Sequence, residues 1–97
     1  MPTYISLMSL TEQGIRDIKS ASERIAAGAK LLEQMGGKLL DFYMVFGEYD
    51  YVAIAEAPDD ETAARFLLAL GAQGNVRTKT MPAFNREQMA RIVEGLE

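Results

Sequence analysis

Along these 97 residues the spacing of apolar side chains switches repeatedly between a period of two and a helical period, and the order of the switches leaves few folds open. From Thr3 to Ser9, Tyr4, Ser6 and Met8 alternate with Ile5 and Leu7, the pattern of a strand with two distinct faces. From Leu10 to Gly36 the period lengthens, and Ile15, Ile18, Ser22, Ile25, Ala29 and Leu32 trace one stripe of a helix. Lys38 to Phe46 returns to alternation, with Leu40, Phe42, Met44 and Phe46 on one face and Leu39, Asp41, Tyr43 and Val45 on the other. Gly47-Glu48-Tyr49-Asp50 interrupts it and Tyr51 to Ala57 resumes it, so the two stretches read as a hairpin. Ala63, Phe66, Leu67 and Leu70 mark a second helix. Asn75 to Phe84 is a fourth strand, with Val76, Thr78 and Thr80 on one face and Arg77, Lys79 and Met81 on the other.

This order, β-α-β-β-α-β, is the split βαβ arrangement called ferredoxin-like. It is an α+β fold in which both helices cross to one face of a four-stranded antiparallel sheet, and the second and fourth strands lie outermost. A chain this short has room for one core, so residues 1–97 are expected to form a single domain. The first helical stretch, about 25 residues and roughly 37 Å long at 1.5 Å per residue, outruns its strands and should break. Ser20-Ala21-Ser22-Glu23 has the form of a capping box and is where the break is expected. Gly36-Gly37 ends that helix, and Asp59 is the expected N-cap of the next. Asn85-Arg86-Glu87-Gln88 opens a last helix whose Met89, Ile92, Val93 and Leu96 form one stripe, expected to pack as a C-terminal brace.

The residue inventory excludes several chemistries. With no cysteine, disulfides, thiolate catalysis and sulfur-held zinc are impossible. With no histidine, the commonest general base and the usual nitrogen ligands of haem, zinc and iron are missing too. No metal and no cofactor is therefore expected. Ten basic against fourteen acidic residues give a net charge of −4, and the basic ones are scattered, which argues against a nucleic-acid partner. The longest apolar runs, Val52–Ala55 and Phe66–Ala72, are far short of the roughly 20 residues of a membrane span. The start, Met1-Pro2-Thr3-Tyr4, lacks the basic patch and apolar core of a secretion signal, so a cytoplasmic protein with no membrane partner is expected.

The most distinctive cluster is Gly47-Glu48-Tyr49-Asp50. As a turn, it uses a glycine able to take positive φ and an Asp able to accept from nearby amides. As a site, Glu48, Tyr49 and Asp50 would set a proton donor and two carboxylates at the rim of a pocket. Arg77 and Lys79, two apart, share one face of the fourth strand. They are either edge charges that discourage sheet-to-sheet aggregation or ligands for a carboxylate or enolate, with Tyr4, Tyr43 and Tyr51 as neighbours.

The GEYD at 47–50, Ala57-Pro58-Asp59-Asp60 and Gly74-Asn75-Val76-Arg77-Thr78 together resemble the GYD domain family, over nearly the whole chain. Gly47, Tyr49 and Asp50 match the motif that names the family, and Asn75, Arg77 and Thr78 a second characteristic segment. Ala21 stands where similar chains are expected to carry Pro. The resemblance implies a ferredoxin-like domain similar in outline to dimeric α+β barrel proteins, and it names no reaction.

Two functional classes follow. One is a small-molecule binder, or a cofactor-independent enzyme, whose pocket lies on the open sheet face of a homo-oligomer and takes an anionic or aromatic ligand. The other is a non-catalytic regulatory or assembly module whose open face serves oligomerisation. Either needs a homodimer or an assembly of dimers. A sheet covered on one side should be polar on the other, yet both faces of the second and third strands are apolar here. The last helix is the rival cover for that face.

Overall fold

The computed structural model describes all 97 residues. The elements are β1 (Thr3–Leu10), α1 (Glu12–Arg16), a 3-10 turn (Ile18–Ser20), α2 (Ala21–Gln34), β2 (Lys38–Met44), β3 (Tyr51–Glu56), α3 (Asp60–Ala72), β4 (Val76–Ala83) and α4 (Arg86–Glu94). The strands form one sheet in the order β2-β3-β1-β4, every pair antiparallel. The α+β, ferredoxin-like reading stands, with β2 and β4 outermost. The Cα extents are 52 × 31 × 18 Å. The shortest is the thickness of one sheet and one helix layer, whose centres lie roughly 10 Å apart.

Strand register sorts the side chains. On the helix-covered face, cross-strand rows run Met44, Tyr51, Met8, Thr78; then Phe42, Ala53, Ser6, Thr80; then Leu39, Ala55, Tyr4, Pro82. Tyr4, Ser6, Met8, Tyr51 and Ala53 are buried there, with Leu32 of α2 and Ala63 of α3 above them. The opposite face carries Tyr43, Val52, Leu7, Lys79 in one row and Asp41, Ile54, Ile5, Met81 in the next.

Three local expectations change. The break before α2 occurs where expected, but the Ser20–Glu23 box does not form. Ser20 sits at the end of a 3-10 turn with φ −92° and ψ 3°, outside the extended conformation a capping side chain uses, and its hydroxyl donates to Asp17 instead. The bend is tied by Arg24, which reaches the Asp17 carboxylate at 3.1 Å and the Asp17 carbonyl at 2.7 Å. In β2 a register shift between Leu39 and Asp41 slips the alternation, so Leu39 joins Phe42 on the helix-covered face and Leu40 is exposed. Finally, α4 does not brace the fold. Its capping box forms as expected, Asn85 accepting from the Gln88 amide and Gln88 from the Asn85 amide, but none of its residues is buried. Met89, Ile92 and Val93 remain 55%, 52% and 53% exposed.

The first helix is fixed to the start of β4 by a close approach. Thr11 donates its backbone amide to the Asn75 carbonyl at 3.0 Å and its hydroxyl to the Gly74 carbonyl at 2.5 Å. A Cβ on Gly14 would lie 2.1 Å from the Asn75 carbonyl oxygen, so no other residue fits at 14 without moving that backbone.

Candidate functional site

The Gly47–Asp50 turn is built as a strand clamp. Asp50 extends the pairing of β3 by donating its amide to the Met8 carbonyl at 2.9 Å, while its own carbonyl takes the Val45 amide at 2.8 Å. Its carboxylate Oδ2 then accepts from the Leu10 amide at 2.8 Å, beyond the end of the β1–β3 ladder. One side chain thus replaces the missing strand partner at the end of β1. Gly47, at φ +120°, makes the turn possible, because residues with a Cβ rarely adopt that conformation.

The eight candidate residues divide between the two faces of the sheet. Tyr43, Arg77 and Lys79 lie on the open face. Tyr49 joins them, with the Lys79 ammonium 5.7 Å from its ring centroid, within cation–π range. Neither Arg77 nor Lys79 has a carboxylate within ion-pair distance. Glu48 is exposed in the turn, away from any hydrogen-bonded partner, and Asp50 is engaged by the backbone. Tyr4 and Tyr51 face the other way, under the helices. Tyr51 stacks on Phe42 with centroids 5.0 Å apart. The eight therefore do not converge on one pocket within a single copy.

Tyr4 is the most perturbed titrating group. Its hydroxyl donates to the Asp60 carboxylate at 2.5 Å; that bond first, then burial and the charges of Asp60 and Asp59, push its pKa up to about 12. Asp59, the N-cap of α3 as expected, is held below the usual carboxylate range by hydrogen bonds from the Thr62 side chain and backbone. No group of three carboxylates is placed to hold a metal ion, and no helix is long and apolar enough to cross a membrane.

A cavity of about 110 Å³ lies between α2, α3 and the covered face of the sheet. Tyr4 and Tyr51 are the two candidate residues that line it, along with Ser6, Ala53, Gly28 and Ala63. Reading the sequence missed these small residues, as well as the Thr11–Gly14–Asn75 tie. The open face presents Ile5, Leu7, Val52, Ile54, Tyr43 and Met81 as a continuous apolar strip, the first four half-buried and the last two 54% and 46% exposed.

A family model described as GYD domain matches residues 4–93. A curated protein of Thermus thermophilus named glutamine synthetase and cystathionine beta-lyase binding protein is 39% identical over 84 residues, covering 86% of this chain and 88% of that protein. Among solved structures, hypothetical protein PHS023 from Pyrococcus horikoshii superposes with a TM-score of 0.57 at 22% identity, over 89% of this chain and 93% of its own. The transcriptional regulator NMB0573 of Neisseria meningitidis, solved with L-Met, gives 0.63 at 20% identity, over 88% of this chain and 51% of its own. At these identities the structural matches speak for the fold.

Proposed function

The chain belongs to the GYD domain family, and from that footing we propose that it is a non-catalytic binding protein that dimerises through its open sheet face and docks on a metabolic enzyme. The single observation that carries this is the apolar strip of Ile5, Leu7, Val52, Ile54, Tyr43 and Met81, which neither α2 and α3 nor α4 covers. Contiguous apolar surface on an open sheet face often marks a contact site. A second copy of the same sheet offers the same strip, and burying apolar area contributes roughly 25 cal/mol per Å² against the cost of association. The charged ends of the rows, Lys79 and Asp41, fall at the margin, where desolvation is least.

Docking on an enzyme is supported by the relative named for binding glutamine synthetase and cystathionine beta-lyase. It also suits a chain with no histidine or cysteine. Sedimentation equilibrium at micromolar concentration tests the dimer. A mass near twice 10.7 kDa is expected, and Ile54→Arg should return it to the single-chain mass. A single-chain mass across the range would overturn the reading. Titration of the wild-type dimer with purified glutamine synthetase and with cystathionine beta-lyase tests the second half, and no complex with either would remove it.

The free cations give an anionic ligand a specific foothold. Lys79 over Tyr49, with Arg77 one pleat away and unpaired, forms a positive patch on the same face. In a dimer that patch lies beside the interface, where a carboxylate bound between two copies would be partly removed from water.

A further inference from the structure

The space under the helices has an origin in the sequence. The middle row of the covered face is small beyond Phe42: Ala53, Ser6 and Thr80 lie between rows that carry Tyr51 with Met8, and Tyr4. Directly above, α2 presents Gly28 and Ala29, and α3 presents Ala63. A layer that would ordinarily be filled by branched side chains is therefore left with a void of about 110 Å³.

The polar side chains of the sheet floor are already used. Ser6 and Thr80 hydroxyls bond each other at 2.6 Å, and the Tyr4 hydroxyl is given to Asp60 at 2.5 Å. No buried side-chain nitrogen or oxygen lacks a partner. A buried water needs two to four polar partners, and apolar cavities of about 150 Å³ stay dry and admit a benzene-sized molecule. This cavity is likewise lined mainly by apolar side chains and is somewhat smaller, but it is half-open to the outside.

We propose that the cavity between α2, α3 and the sheet is a binding site for a small uncharged apolar molecule, of the size of one aromatic ring or a short branched alkyl group. Arg24, Glu56, Gln73 and Asn75 also line it. Of these, Arg24 is held in an ion pair with Asp17, so no unpaired cation waits for a charged ligand. Gly28 of α2 lies close to Leu70 of α3 in the wall, a Cβ at 28 lying 3.7 Å from the Leu70 Cδ2. A ligand there would touch both helices and the sheet at once. This site is separate from the dimer face, since the two lie on opposite sides of the same strands.

The test uses toluene as the probe on the full chain, followed by backbone-amide NMR. Saturable one-to-one shifts centred on Ala53, Gly28 and Ala63 are expected, with benzoate giving none at these residues. Ala53→Leu fills the floor of the void and should abolish the shifts. Should that variant fail to fold, Gly28→Ala serves. It makes only ordinary van der Waals contact with Leu70 and removes a helix-interior glycine, so it should fold well, and it should weaken toluene binding. Absence of saturable shifts, equal binding by the filled variants, or equal binding of benzoate would each overturn the proposal. Because Ile54→Arg acts on the other face, its effect on mass and the toluene result succeed or fail independently.

Discussion

Replacing Asp50 by alanine tests the strand clamp directly. The substitution removes the acceptor of the Leu10 amide, 2.8 Å from Oδ2, but leaves the Asp50 backbone bonds to Met8 and Val45 formally possible. Leu10 lies beyond the last β1–β3 pair, Met8 with Tyr51, so no carbonyl of β3 is in register to replace the lost partner. A hydrogen bond to a charged group contributes about 1.5–3 kcal/mol, and a half-buried amide recovers part of that from water. A loss of about 1–2 kcal/mol is expected. For a domain of this length each kcal/mol moves the melting temperature by roughly 4–8 °C, so Asp50→Ala should melt about 4–15 °C lower. Asp50→Asn keeps an acceptor oxygen in place and should lose less than half as much. Differential scanning calorimetry at equal protein concentration reads both. An Asp50→Ala transition within about 2 °C of wild type, well short of the expected shift, would refute the clamp. Equal losses in the two variants would show that charge, and not the acceptor, is what matters.

Gly47→Val forces a branched side chain into φ +120° and should cost about 1 kcal/mol or more, read as a melting temperature several degrees lower; an unchanged value would mean the turn rearranges freely. Tyr4→Phe removes the bond to Asp60 and should destabilise by about 1 kcal/mol at neutral pH. Because the Tyr4 pKa is raised in the fold, from 10.0 to about 12, its contribution is complete below pH 10 and fades as the pH rises through 12. The stability gap between wild type and Tyr4→Phe in urea should therefore close over that window, and a constant gap would rule out the bond as its source. Arg77→Ala should weaken an anionic ligand of the open face by about 1–3 kcal/mol, as for a charge-assisted hydrogen bond; calorimetric titration with equal affinities would leave Arg77 as an edge-strand charge.

The element order was legible because each strand and helix carries its own period, and a period is a local property. The slip in β2 was not, because Leu39 and Leu40 are the same residue type and alternation cannot say which of two adjacent leucines points inward. The break before α2 was visible from length alone, while its fastening was not. The Ser20–Glu23 spacing suits a cap only if Ser20 is extended, and the Asp17–Arg24 pair that holds the bend joins residues seven apart. The stripe on α4 was read correctly as an amphipathic pattern, but a pattern does not name what it packs on. The candidate tyrosines show the same limit. Tyr4, Tyr43 and Tyr51 group together by residue type, and only the registers of β1 with β3 and of β2 with β3 put Tyr43 on the opposite face from the other two.

That register also exposes an inversion in how the central strands spend their bulk. β1 and β3 are the two inner strands, and on the side their own helices cover they present Ser6, Ala53 and Ala55 among larger neighbours. On the uncovered side they present Ile5, Leu7, Val52 and Ile54, each of which contributes about 1.5–3 kcal/mol when fully buried. Folding of one chain alone thus buries Tyr4, Met8 and Tyr51 on the covered side and leaves these four half-buried on the other. Single domains retain only about 5–15 kcal/mol of net stability, so completing the burial of these four half-buried residues would add a sizeable part of that margin. In a dimer closed on that side, anything that weakens the interface also lowers the melting temperature, and the melting temperature depends on protein concentration. The cavity under the helices has a related origin: Ser6, Ala53 and Ala55 leave space between the large side chains of Tyr4, Met8 and Tyr51 on the covered side.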